Sequence, residues 1–285
     1  MQRYQVRDAI HRFYQEDIGS GDITTEAVFS ETDTAEGIVK AKNDGIFCGA
    51  VVLEEGWKML DEAVEVTVHA GEGEQVRQGQ TLLTVKGRVQ ALLSGERVLL
   101  NLVQRMCGVA GETRRTVEAL DDARIQVCDT RKTMPGLRLF DKYAVRCGGG
   151  VNHRYGLYDA VMIKDNHIAA AGGITEAAAK VKAEIGHMVK IEIETTSAKE
   201  VKEAAEAGAD VIMFDNCTPE EAAAWSGLVP SSIQTEVSGN ITRETIGVYR
   251  KTGVDVISAG AVTHSAQPLD LSFQLHTMKR EDRYR

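Results

Sequence analysis

The sequence predicts an α/β protein: an open, incomplete α/β barrel preceded by an N-terminal α+β sheet domain. Three observations predict it. First, six short apolar runs occupy the C-terminal half: IQVC (125–128), AVMI (160–163), VKIEI (189–193), DVIMF (210–214), IQTEV (233–237) and VDVIS (254–258). Second, Ala-rich amphipathic stretches separate most of them, among them TEAAAKVKAEIG, SAKEVKEAAEAGA and TRETIGVYRKTG. Continuous apolar strands alternating with helices mark a parallel sheet covered on its faces. Six strands fall short of the eight in a closed barrel, so the barrel is expected open, with a doubly wound sheet as the second reading. Third, residues 35 to 90 alternate apolar and polar positions with period two and carry glycine turns, the pattern of an antiparallel sheet.

Taken in order, Val6, Ala9, Ile10 and Phe13 recur at helical spacing and predict a helix over residues 4 to 15. It stops at Ile18-Gly19-Ser20-Gly21-Asp22, read as a turn because an isolated G-x-G without a preceding strand is weak evidence for phosphate binding. AEGIVKAK reads as a strand and IFCGAVVL as a buried one. VEVTVHAGEGEQVRQGQTLLTVKG continues the sheet, turning at Gly71-Glu72-Gly73 and Gly79. This last stretch resembles the hammerhead sheet of lipoyl and biotinyl carrier domains, but lacks their Met-Lys attachment hairpin, so a structural sheet is expected. Leu92, Leu99, Leu100, Val103, Met106 and Cys107 mark a helix with one buried face. Arg97, Asn101 and Arg105 share another face, either its wet side or a place from which an Arg reaches a neighbouring subunit. A further helix is expected near 111 to 120. The domain boundary is set at 1–108 and 109–266.

Bulk properties narrow the function. The 285 residues are 43% hydrophobic and 26% charged, as in ordinary globular enzymes. No apolar run reaches transmembrane length, and the charged N-terminus lacks a secretory core. Cys48, Cys107, Cys128, Cys147 and Cys217 are odd in number and never spaced C-x-x-C, which fits a reducing cytoplasm and argues against a zinc site or disulfide frame. A net charge of -9 argues against nucleic acid. Within this acidic chain the sign reverses between Arg131 and Lys164, where Arg131, Lys132, Arg138, Lys142, Arg146, Arg154 and Lys164 face only Asp141 and Asp159. Such an island is self-repelling unless it meets anions. Its arginines suit carboxylate or phosphate.

The residues that end each strand are more specific. They are Asp129-Thr130-Arg131-Lys132, Lys164-Asp165-Asn166-His167, Glu194, Asp215-Asn216, Ser238-Gly239-Asn240 and Ser258-Ala259-Gly260. Parallel α/β folds bind ligands beyond the carboxyl ends of their strands, so these groups are expected around one mouth. The two Ser/Gly turns, leading into helices, would cradle a phosphate with backbone N–H groups. Glu194 and Asp215 would hold ribose hydroxyls, directly or through Mg²⁺ and its waters. With the cationic island, these features describe transfer of a phosphorylated sugar to an acidic acceptor.

On Asp129-Thr130-Arg131-Lys132-Thr133-x-Pro135-Gly136, Lys142-Tyr143-Ala144-Val145, Cys147-Gly148-Gly149-Gly150-x-Asn152-His153-Arg154 and Ile163-Lys164-Asp165-Asn166-His167, the chain resembles the quinolinate phosphoribosyltransferases. Gly95-Glu96-Arg97, Ala207-Gly208-Ala209-Asp210 and Val237-Ser238-Gly239-Asn240 extend the match over nearly the whole length. The resemblance implies an N-terminal α+β sandwich domain packed on the open barrel, with the tail 267–285 returning to it. It also implies a cytoplasmic, Mg²⁺-dependent enzyme that condenses quinolinate with phosphoribosyl pyrophosphate, giving nicotinate mononucleotide, pyrophosphate and CO₂ for NAD synthesis. Thr130, Arg131, His153 and Arg154 would hold quinolinate, with Lys132 and Lys164 beside the reacting anions. Arg97 would come from the partner in a homodimer or higher oligomer. Glu194 and Asp215 would serve the ribose and metal, while Ser238, Gly239, Asn240, Ser258, Ala259 and Gly260 take the 5′-phosphate. Lys132, Lys164, Glu194 and Asp215 would be the catalytic set. Glu192, in phase with Glu194, is held in reserve. Alternatives are the related pyrophosphorylase-like protein of molybdenum-transport operons and a non-catalytic carrier or ligand-binding module.

Overall fold

A computed structural model describes residues 1–277. They form two compact units, one made of 1–112, Leu139–Gly148 and 266–277, the other of Thr113–Arg138 and Gly149–Ser265. In the first unit, α1 (Arg3–Asp17) buries Val6, Ala9, Ile10 and Tyr14. Asp22 caps α2 (Ile23–Val28): its Oδ1 accepts the Thr25 N–H at 3.0 Å, and these Thr25 hydrogen bonds hold the carboxyl below its ordinary range. The glycine turn before Asp22 thus leads into a short helix.

Strand β1 (Thr34–Ala41) alternates half-buried and buried residues. The run IFCGAVVL departs from the expected strand. It divides into β2 (Gly45–Ile46) and the start of α3 (Ala50–Leu60), with Gly49 between them at φ 123°. The reason is a distant cap. The Glu72 carboxylate accepts the N–H groups of Gly49 at 2.9 Å and Ala50 at 2.8 Å, satisfying first-turn donors that a strand would have committed to its ladder. Strands β3 (Glu65–Val68), β4 (Gln75–Val76) and β5 (Thr81–Arg88) follow. The two helices expected next are one, α4 (Val89–Leu120), 32 residues long. Gly108 lies inside it, where packing excludes a side chain: a Cβ there would lie 2.3 Å from the Gln267 carbonyl oxygen.

In the second unit six parallel strands form one sheet. β6 (Gln126–Cys128) is followed, after α5 (Arg138–Cys147), by β7 (Val161–Ile163), α6 (Asp165–Ala171) and α7 (Ile174–Glu184). Then come β8 (Ile191–Thr195), α8 (Ala198–Glu206), β9 (Val211–Asp215), α9 (Pro219–Ser226), β10 (Gln234–Ser238), β11 (Val256–Ser258) and α10 (Ala261–His264). The strand order is β6-β11-β10-β9-β8-β7, so β6 and β7 are edges and the barrel is open among the described residues. The amphipathic segment TRETIGVYRKTG forms only a 3₁₀ turn, Ile246–Tyr249. Gly247 and the β-branched Thr245, Ile246 and Val248 weaken an α-helix there. Arg250 instead donates from Nε to the Leu120 carbonyl at 2.9 Å, closing the end of α4.

The chain then returns to the first unit. β12 (Leu271–Thr277) pairs antiparallel with β1, from Ala35 opposite Thr277 to Ala41 opposite Leu271, in the order β12-β1-β5-β3. A Cβ on Gly37 would lie 2.2 Å from the Phe273 ring, which also packs on the buried Trp57 at 5.5 Å. The part of the expected returning tail beyond residue 277 lies outside the described residues. Leu139–Gly148, expected in the barrel domain, belongs to the first unit. Phe140 packs near Phe13, and Asp141 receives both nitrogens of an Arg105 fork at 2.8 Å.

Candidate active site

Parallel register brings the strand ends together. Glu194 lies opposite Met213, Asp215 opposite Ser238, and Glu236 opposite Met213. Because side chains alternate along a strand, Glu192 and Glu194, Met213 and Asp215, and Glu236 and Ser238 share one face of the sheet. Above that face lies a cavity of about 740 Å³, a volume suited to small-molecule ligands. Its walls carry Thr130, Arg131, Lys132, His153, Arg154, Lys164, Glu194, Asp215, Ser238, Gly239, Asn240, Ser258 and Gly260.

The cationic wall is built from buried anchors. Asp129, fully buried at the end of β6, accepts Asn152 Nδ2 at 2.7 Å and the His153 N–H at 2.8 Å. The His153 Nδ1 accepts the Arg154 N–H at 2.8 Å, so the proton resides on Nε2, which faces Glu192 Oε2 at 3.0 Å and Glu236 Oε1 at 3.6 Å. Arg154 donates to the Ala160 carbonyl at 2.8 Å, and its Nε is buried without a hydrogen-bond partner. Burial, then the nearby Arg131 charge, lower its pKa, a self-repulsion that an anionic ligand would relieve. Burial also raises the Glu236 carboxyl to about 7, with Glu192 repelling a second negative charge beside it.

The ends of β8, β9 and β10 add acidic groups and a tight turn. Lys164 Nζ meets Glu194 Oε2 at 2.7 Å. Asp215 accepts Asn216 Nδ2 at 2.6 Å, and Asn240 Nδ2 donates to Asn216 Oδ1 at 3.2 Å. Asn216 and Asn240 both have positive φ. Gly239 sits at φ 112°, where a Cβ would lie 2.8 Å from the Asn216 backbone nitrogen. Only glycine fits that turn. Gly260 is close for a different reason: a Cβ there would approach Lys132 Cδ to 3.0 Å.

Two family descriptions divide the chain: "Quinolinate phosphoribosyl transferase, N-terminal domain" matches residues 22–107 and its C-terminal domain matches 109–274. The chain belongs to the quinolinate phosphoribosyltransferase family. Within it, the chain is 49% identical over 275 residues to the probable nicotinate-nucleotide pyrophosphorylase [carboxylating] of Bacillus subtilis, covering 96% of this chain and 95% of that protein. It is 37% identical to quinolinate phosphoribosyltransferase [decarboxylating] 1b of Nicotiana tabacum, covering 96% and 83%. NadC from Streptococcus pyogenes superposes with a TM-score of 0.94 at 39% identity, covering 98% of this chain and 99% of that one.

In this family member most residues expected at the mouth line one cavity, but not all. Ala259 is buried and does not line it; its N–H donates to the Cys128 carbonyl at 2.9 Å. Arg97 lies on α4 in the first unit, with its side chain 64% exposed. The stripe it shares is not uniformly wet, because Arg105 is held by Asp141. The cationic island also separates. Arg131, Lys132, Arg154 and Lys164 reach the cavity, whereas Lys142 is fully buried in the first unit and Arg138 donates to Thr133 and the Tyr155 carbonyl. The helices expected to present their N-termini after β10 and β11 are a 3₁₀ turn and the four-residue α10, so backbone turns form that corner. Sequence reasoning missed Met162, Met213, Ile241, Thr242 and His264 on the wall, and Glu236 beneath His153. Glu236 was detectable: it precedes Ser238 by the two-residue strand period, just as Glu192 precedes Glu194.

Proposed function

We propose that this chain is a carboxylating nicotinate-nucleotide pyrophosphorylase that transfers the phosphoribosyl group to quinolinate and releases pyrophosphate and CO₂, in NAD synthesis. The observation that carries the reading is one cavity lined by Arg131, Lys132, Arg154 and Lys164 together with Glu194, Asp215 and the Gly239 turn. Two carboxylates on a pyridine ring call for paired guanidinium groups. A phosphorylated ribose calls for a small-residue turn and hydroxyl acceptors.

In this mechanism Arg131 and Arg154, with Thr130, grip the quinolinate carboxylates and aim the ring nitrogen at the anomeric carbon. His153 stands in the wall and holds the Arg154 backbone in place. The Ser238-Gly239-Asn240 turn, with Ser258 and Gly260, seats the 5′-phosphate. Glu194 and Asp215 hold the ribose hydroxyls. Both carboxylates are hard oxygen donors on neighbouring strands, a donor set that fits Mg²⁺ held through water. When bound, the ion supplies positive charge to the pyrophosphate. Lys132 and Lys164 add fixed cationic charge beside the departing pyrophosphate and the quinolinate anions. As pyrophosphate leaves, positive charge builds at the anomeric carbon and the pyridine nitrogen adds there. The nitrogen, now quaternary, stabilises the adjacent carbanion left when the 2-carboxylate departs as CO₂, and protonation completes nicotinate mononucleotide. No protein nucleophile is required; positioning and preorganised charge lower the barrier.

The reading includes a homodimer in which Arg97 of each protomer completes its partner's cavity, and a cytoplasmic location. Among the described residues no helix is long and apolar enough to cross a membrane. A substrate panel tests the acceptor. With phosphoribosyl pyrophosphate and Mg²⁺, quinolinate is expected to turn over and nicotinate, which lacks the second carboxylate, to do so far more slowly. Equal rates with both would refute the assignment.

A further inference from the structure

Away from the cavity, the first unit holds a second cluster of reactive groups. The Sγ atoms of Cys48 and Cys147 and a carboxylate oxygen of Glu72 lie within 4.8 Å of one another. Cys48 is fully buried just before α3, and Cys147 is half-buried at the end of α5. A third thiol, Cys107, is nearby but engaged: its sulfur accepts the Cys48 N–H at 3.3 Å and faces the Cys48 carbonyl at 3.4 Å. Glu72 is engaged too, since its carboxylate accepts the Gly49 and Ala50 N–H groups that open α3. That commitment weighs against a metal centre needing Glu72 as a free ligand, and leaves Cys48 and Cys147 as a facing pair.

We propose that Cys48 and Cys147 form a reversible dithiol–disulfide site that reacts with hydroperoxides. The two sulfurs have unequal roles. Cys147 is half-buried and its Sγ donates to Glu72 Oε2 at 3.7 Å; hydrogen bonding from Cys48, and less from Tyr143, lowers its pKa against the opposing burial and Glu72 charge. Burial raises Cys48 well above its ordinary value, so it remains a thiol until Cys147 has been oxidised. The Cys147 thiolate attacks the O–O bond of the peroxide, an S–O bond forms, and the peroxide's second oxygen leaves as water or alcohol. The Cys48 sulfur then attacks the Cys147 sulfenic acid. An S–S bond forms, the S–O bond breaks, and hydroxide leaves as water with the Cys48 proton. Together the two thiols lose two electrons and two protons, and the peroxide is reduced. The bridge ties the start of α3 to the end of α5 and spares Cys147 from irreversible oxidation to the sulfinic and sulfonic acids.

The test is peptide mapping of the full-length protein after stepwise hydrogen peroxide, without reductant. None of the five cysteines is in a disulfide at the start. Two thiols are expected to disappear together, with a Cys48–Cys147 cross-linked peptide lighter by two hydrogen atoms and both thiols restored by dithiothreitol. Cys48→Ser should lose the cross-link and accumulate sulfinic or sulfonic acid at Cys147, whereas Cys107→Ser should still form it. If the parent protein's Cys147 stays reduced while other thiols oxidise, the proposal fails. It fails equally if Cys147 oxidises without a bridge, pairs with Cys107, or shares a tightly held divalent metal with Cys48. The parent protein alone is decisive, so a variant that misfolds changes nothing in the outcome.

Discussion

At the residue scale, the cavity depends on a few side chains that others hold in place. Arg131 lies on its wall and has no structural partner role comparable to that of Asp129, so Arg131→Ala is expected to leave the fold intact and lower kcat/KM at least about 100-fold. Steady-state kinetics with circular dichroism check this, and near-normal turnover would remove Arg131 from the site. Gly239→Ala meets the Asn216 backbone at a φ that disfavours any side chain. Its KM for phosphoribosyl pyrophosphate should rise roughly tenfold or more, from about 1–3 kcal/mol of strain, with a smaller change in KM for quinolinate. Glu236 gives a pH signature. Its folded-state pKa is raised to about 7, so between the ordinary carboxylate range and that value the native chain keeps a proton the unfolded chain has lost. Ionising Glu236 therefore destabilises the fold progressively as pH rises through about 7, and below the ordinary range the effect vanishes. The parent's stability falls between about pH 4.5 and about pH 7 and levels off above, so the thermal stability of Glu236→Gln relative to the parent should climb across that window and stay flat above it. A constant difference in melting temperature across that range would contradict the buried carboxyl.

At the element scale, the parallel strands were legible because burial on both faces imposes long apolar runs, and each expected run became a strand of the six-stranded sheet. Their polar ends were legible too, since strand termini in such folds face ligands. Apart from the 3₁₀ turn at Ile246–Tyr249, whose causes are local, the misread positions share a physical cause: the deciding partner lies far along the chain. IFCGAVVL became a helix start because Glu72 caps it, and Gly108 sits inside an unbroken helix because the Gln267 backbone presses against it. Lys142 read as part of a ligand-binding island, yet α5 packs it fully inside the first unit. Ala259 read as part of a phosphate turn, yet the sheet takes its N–H. The Gly108 contact makes a specific prediction. Gly108→Ala adds a methyl against backbone that cannot rotate away, and should destabilise the protein by about 1–3 kcal/mol despite alanine's better helix propensity. Urea denaturation measures it, and a stabilised variant would show that the contact yields.

At the scale of the whole molecule, the family assignment joins the cationic and acidic groups of the cavity into one reaction. In the proposed reaction both substrates are anionic, which would offset the self-repulsion of the cationic residues that line the cavity of this acidic chain. Shared cavities between protomers would also be detectable by complementation. Arg97→Ala and Arg131→Ala chains, each inactive alone, should regain up to about a quarter of parental activity when co-refolded, because mixed dimers then hold one intact cavity. No recovery would place Arg97 outside its partner's site. The most direct measurement follows the atoms of the reaction itself. Purified protein is mixed with phosphoribosyl pyrophosphate, Mg²⁺ and quinolinate carrying labelled carbon in its 2-carboxylate. Labelled CO₂, nicotinate mononucleotide and pyrophosphate should appear in equal amounts; nucleotide that retains the label, or quinolinate left unchanged, would contradict the account.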